Sequence, residues 1–101
     1  MNSYAVKIMD ILKNYNLNIM KIENGVGEEK LIRDIEFIKK SINILGQWDY
    51  LIIKLVYIDK ISKKETAKQL YITRMTLDRR IKRVVNQLSE VYERMISGQK
   101  K

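Results

Sequence analysis

Residues 62–88 read SKKETAKQLYITRMTLDRRIKRVVNQL, and the way this stretch divides decides the fold. Ser62 has the side chain of an N-cap, with Glu65 three positions on to complete a capping box. Ala67 and Leu70 give the short helix that follows a small and a large residue on its inward side. Tyr71, Ile72 and Thr73 form the turn, and Thr73 is the N-cap of the next helix. From Arg74 a new period begins. Stepping about 100° per residue from Leu77, the side chains of Ile81, Val84, Val85 and Leu88 fall within about 80° of its direction. Met75, Arg79, Lys82 and Asn86 point the other way, with Thr76 and Arg83 on the border. The second helix is thus predicted to have a dry inner face and a cationic outer one.

Working outward, the apolar spacing continues past Leu88 through Val91, Tyr92, Met95 and Ile96, and Ser97-Gly98-Gln99 is expected to end the helix before a basic tail at Lys100 and Lys101. An apolar face this long needs a cover, which the N-terminal segments of the same chain or of a second copy would supply. On the other side, Asp59-Lys60 is a loop, preceded by an apolar helix with Leu51, Ile52, Leu55, Val56 and Ile58. Asp49 is its expected N-cap and Gly46 the break before it. Trp48 is placed in the core in preference to a partner contact.

Further upstream, Leu31, Ile35, Ile38, Ile42 and Leu45 step by four and three, a heptad seam on a helix predicted over residues 28–45. Glu28 and Glu29 in its first turn, and Lys39 and Lys40 towards its end, suit the helix dipole. The seam serves equally well to pack within the chain or to pair two chains. Tyr4, Ile8, Ile11, Leu12 and Tyr15 define a first helix from Ser3. The Asn-rich stretch at 14–18 weakens it, because Asn competes for backbone hydrogen bonds. Ile19 and Ile22 keep the spacing, so continuation to Ile22 is favoured. Asn24-Gly25-Val26-Gly27 is a break with turn chemistry, too short for a phosphate-binding loop.

Composition narrows the class. A chain of 101 residues makes one domain, or a small domain plus an arm. With 46% hydrophobic residues and no proline, the expectation is an ordered all-α fold. It is divided into an N-terminal helical packing or oligomerisation arm (residues 1–45) and a second region (residues 46–101). Neither Cys nor His is present, which removes disulfides, thiolate metal sites and the commonest general base. No spacing brings a nucleophile to a base or groups carboxylates around a metal. The expectation is therefore a non-enzyme with no catalytic residues, metal, cofactor or small-molecule substrate. No apolar run has the roughly 20 residues of a membrane span, and MNSYAVKIMD lacks the pattern of a signal peptide. A cytoplasmic, nucleoid-associated location is expected.

The formal charge of +8 is unevenly spread. Residues 1–45 carry seven basic and six acidic residues, net +1, whereas residues 60–83 carry nine and two, net +7. Cationic side chains concentrated on one motif favour a nucleic-acid partner over a merely solvated surface.

The stretch from Leu45 to Leu88 resembles the helix-turn-helix of region 4 in sigma-70 family transcription initiation factors. Ser62, Glu65, Ala67, Leu70, Ile72, Thr73, Leu77 and Ile81 fall in register with the family's pattern without gaps. Trp48-Asp49 and the Leu70–Thr73 turn look most like small phage-encoded sigma-like regulators of late genes. The resemblance covers a little under half of the chain. It implies a C-terminal helix-turn-helix on double-stranded DNA, acting with bacterial RNA polymerase at promoters, with part of the preceding helix region near the polymerase flap.

On that reading Arg74, Met75, Thr76 and Arg79 are base-edge candidates: Arg can read guanine, while Met and the Thr methyl can touch a thymine methyl. Lys63, Lys64, Thr73, Lys82 and Arg83 are phosphate candidates. A homodimer is open. The chain leaves no room for the separate domain that melts the −10 strand in that family, so a regulator is expected and not a full sigma factor. The alternative is a DNA-packaging oligomer of the small-terminase kind.

Two residues depart from the family pattern. Asp78 stands where a basic residue is common and is expected to face Arg74 or Lys82. Tyr71 stands where many such turns have Gly, so either the turn differs or the ring recovers the cost of a left-handed backbone by packing.

Overall fold

The structure is a computed structural model that describes residues 3–99; the basic tail at Lys100 and Lys101 lies outside them. Among the described residues there are six α-helices, one π-helical turn and no strand: α1 (Ser3–Lys13), α2 (Tyr15–Glu23), α3 (Glu29–Ile42), α4 (Gln47–Ile53), the π turn (Lys54–Ile58), α5 (Lys63–Gln69) and α6 (Arg74–Gln99). The expectation of an all-helical chain holds.

α6 is the spine. Of its predicted inner face Leu77, Ile81, Val84, Val85, Leu88 and Tyr92 are buried and Met95 and Ile96 pack partly against the core, whereas Val91 is exposed. The cover comes from the same chain, since α1 lies along α6 and buries Ala5, Ile8, Ile11 and Leu12. α3 packs on α1 and α2, and Ile35, Ile38 and Ile42 of the heptad seam go into this shared interior. Leu45 is half-buried against the core, and Leu31 is half-buried at the edge. The seam is therefore used within one chain. Ile52, Ile53 and Tyr57 complete the same cluster from α4 and the π turn. Each such aliphatic side chain, moved from water to the interior, is worth about 1.5–3 kcal/mol.

A buried polar link joins α1, α3 and α6. The Tyr92 hydroxyl donates to Asp34 Oδ1 at 3.2 Å, and Lys7 Nζ lies 3.4 Å from Asp34 Oδ2. Phe37 meets the Tyr92 ring edge-on at 5.1 Å between centroids. Burial, helped by the Asp34 charge and the hydrogen bond to it, pushes the Tyr92 phenol up to about 12.

Several boundaries differ from expectation. The first helix does not continue unbroken to Ile22: it stops at Lys13 and resumes at Tyr15. The break shows as Asn14 leaving helical dihedrals, at φ −102° and ψ 14°; its Nδ2 donates to the Asp10 carbonyl at 3.0 Å beside its own backbone N–H, which keeps the helical bond to that carbonyl. The loop after the π turn is tied into the same junction, with Asn16 Nδ2 donating to the Ile58 carbonyl and Lys60 Nζ to the Lys13 carbonyl. α3 ends at Ile42 and not at Leu45; the N–H groups of Ile44 and Leu45 close three-residue bonds to Ser41 and Ile42.

α4 is capped at Gly46, so Asp49 sits inside its first turn instead of capping it. Trp48 is not core but 51% exposed; Ile52 and Ile53 are the buried residues of this helix. α6 is described through Gln99, the last of the three residues expected to end it.

Candidate nucleic-acid interface

Both predicted caps at the basic stretch form. Ser62 Oγ accepts from the Glu65 N–H at 3.1 Å, which fixes the start of α5. Thr73 Oγ1 accepts from the Thr76 N–H at 3.1 Å and donates to Thr76 Oγ1 at 2.9 Å, which fixes the start of α6. Between them the chain turns in three residues. The Tyr71 N–H bonds the Lys68 carbonyl and the Ile72 N–H bonds the Ala67 carbonyl. This pair of bonds is the Schellman stop, which demands a left-handed residue at its third-from-inside position. Tyr71 supplies it, at φ 56°. The turn therefore has the left-handed backbone, and the ring does not recover the cost by packing: Tyr71 is 95% exposed.

The base-edge candidates lie on the side of α6 away from the core. Arg74, Met75 and Arg79 are exposed and Thr76 is half-buried. Arg79 Nη2 rests 3.3 Å from Met75 Sδ, so these two side chains form one surface element. Among the phosphate candidates, Lys64, Thr73, Lys82 and Arg83 are exposed and Lys63 is half-buried. Arg79, Lys82 and Arg83, with Asn86, Gln87 and Glu90, line a shallow groove along α6.

Four carboxylate or ring contacts tune this face. Asp78 takes Arg74 at 3.4 Å, one of the two partners offered by the sequence, and also Lys63 at 3.5 Å. The second contact ties the first turn of α5 to α6. Beneath them, burial pushes the Tyr57 phenol up, with the negative charge of Asp78 adding to it. Arg83 Nη2 lies 3.3 Å from Asp49 Oδ1. The Arg80 guanidinium sits over the Trp48 ring at 6.0 Å, a cation–π distance.

Asp49, Trp48 and Arg80 were not among the site residues read from the sequence. Arg83 and Asp49 are 34 positions apart, and no local periodicity connects them. Only the resemblance pointed to Trp48-Asp49, and it carried no pairing.

What this surface can do is hold a polyanion. Its charges are cations on short spacing around two carboxylates, and the hydroxyls and Met–Arg pair near the start of α6 add hydrogen-bond and apolar contacts. Among the described residues no group of three His, Cys, Asp or Glu side chains could hold a metal ion, and no helix is long and apolar enough to cross a membrane. No protein-family model, curated protein or solved structure matches the chain.

Proposed function

We propose that the chain binds double-stranded DNA in a sequence-dependent way through α5, the turn and the first half of α6, used as a helix-turn-helix of the sigma region 4 kind. On this reading it regulates transcription with bacterial RNA polymerase, in the manner of small phage-encoded sigma-like proteins. The observation that carries the reading is the division of α6: Leu77, Ile81, Val84, Val85 and Leu88 are buried, whereas Met75, Arg79, Lys82 and Arg83 on the opposite side stay exposed. This solvent side belongs to a stretch of net charge +7. A helix so divided is fixed by its apolar side and presents its charged one, the geometry in which a recognition helix enters the major groove.

In this role Arg79, with Met75 against it, and Arg74 and Thr76 read base edges. Lys64, Lys82 and Thr73 take phosphates. Lys63 and Arg83 reach phosphates after exchanging Asp78 and Asp49 for them. Selection of bound sequences from random duplex, followed by two variants, tests the assignment. Arg79→Ala should lose about 1–3 kcal/mol of discrimination between selected and random DNA. Lys82→Ala should weaken both about equally and reduce the salt slope by about one. Two variants that bind the selected duplex like the parent would overturn the assignment.

A further inference from the structure

The fold requires a left-handed backbone at the turn between α5 and α6, but not a tyrosine there. The Schellman stop needs a left-handed backbone at position 71, and glycine meets that need without cost. Tyrosine does not, since a side chain crowds the following carbonyl in this conformation. A buried ring could offset that strain by packing, but Tyr71 is 95% exposed. Its neighbour Ile72 packs against the core in its place. The phenol is thus held outward in a conformation unfavourable to tyrosine, and it contributes nothing visible to the interior.

The sequence on both sides of the ring is cationic. Lys64 and Lys68 lie four residues apart on one side of α5, both exposed, and Tyr71 follows three residues after Lys68. Arg74 follows three residues after Tyr71. The ring belongs to the stretch 60–83 of net charge +7, and strained backbone kept at an unburied position is a reason to look for a functional contact there. A phenol among lysines adds a directional, uncharged hydrogen-bond donor to a surface that otherwise offers point charges.

We propose that the Tyr71 hydroxyl donates a hydrogen bond to a backbone phosphate of the bound duplex, fixing how the α5–α6 turn sits on the DNA; this rests on the reading of α5–α6 as a duplex-binding surface. Lys64 and Lys68 flank that phosphate with charge, and Tyr71 sets position. Because the donor is neutral, it releases no counterion, so its removal changes affinity without changing the salt slope.

The test uses the full chain with a selected duplex and a random one, by fluorescence anisotropy across a salt series, beside thermal melts. Tyr71→Phe keeps the ring and the turn and should melt within about 2 °C of the parent. It should bind both duplexes about fivefold more weakly, the range of one hydrogen bond, with the parent's salt slope. Tyr71→Gly should bind at least as weakly as Tyr71→Phe yet melt about 4 °C higher, a gain in stability with a loss of affinity. Lys68→Ala should instead lower the slope by about one. Parent-like affinity in Tyr71→Phe overturns the contact, whether or not Tyr71→Gly is weakened, since the hydroxyl then contributes nothing. Should the parent bind no duplex at all, the reading of the surface fails first and takes this inference with it.

Discussion

The ends of α2 and α5 are built alike and filled differently. After α2, the Gly25 N–H bonds the Ile22 carbonyl and the Val26 N–H bonds the Lys21 carbonyl. After α5, Tyr71 and Ile72 make the same two bonds to Lys68 and Ala67. The third-from-inside residue is left-handed in both, at φ 72° in Gly25 and 56° in Tyr71. At the N-terminal stop the chain uses the residue that carries no strain. At the other stop, inside the basic stretch, it uses one that costs about 1–2 kcal/mol. A third left-handed residue, Lys60 at φ 59°, stands between these cases: its side chain donates to the Lys13 carbonyl at 2.7 Å, so the fold uses what the backbone strains to present. Tyr71 is the stop whose side chain the interior does not use, and the proposed contact with an outside partner rests on that contrast.

Exchanging the residues at these stops sharpens the contrast. The largest effect should come from Gly25→Tyr. A Cβ there meets nothing within 4 Å, so the cost is backbone strain, about 1–2 kcal/mol, less the unfolded-chain freedom that glycine gives up, read as a loss of stability in a urea melt. Tyr71→Gly should move the other way, gaining about 0.5–1 kcal/mol once the greater freedom of glycine in the unfolded chain is subtracted. Lys60→Gly should change least, within about 0.5 kcal/mol, because relief of strain is offset by the lost hydrogen bond to Lys13. If Tyr71→Gly were destabilising, the ring would be part of the folded interior and the contrast would vanish.

Much of this fold is legible in the amino-acid order because helical periodicity is a local signal. The inner face of α6 and the seam residues Ile35, Ile38 and Ile42 follow from three- and four-residue spacing, and the caps at Ser62 and Thr73 from side-chain type. The break at Asn14 is half legible: the weak helix preference of Asn is plain, but that preference alone does not decide whether the chain leaves helical dihedrals there. The π turn at Lys54–Ile58 was not legible, because a run of apolar residues does not encode which carbonyl each N–H selects. Trp48 was misplaced for the same reason, as an apolar run on a short helix leaves open which side faces inward. In the candidate interface the exposed cations could be read from the sequence, but the Asp49–Arg83 and Lys63–Asp78 pairs could not. Such pairs exist only once α4 and α5 are packed on α6.

The central claim is that the outer face of α5–α6 is the surface that meets a duplex. Amide chemical-shift mapping of the full chain on titration with a selected DNA duplex, at low salt, tests it most directly. Perturbations are expected at residues 63–64, 68, 71–76, 79 and 82–83, with α1 and α3 unmoved. Perturbations centred on residues 3–42, or none at any duplex concentration, would contradict it.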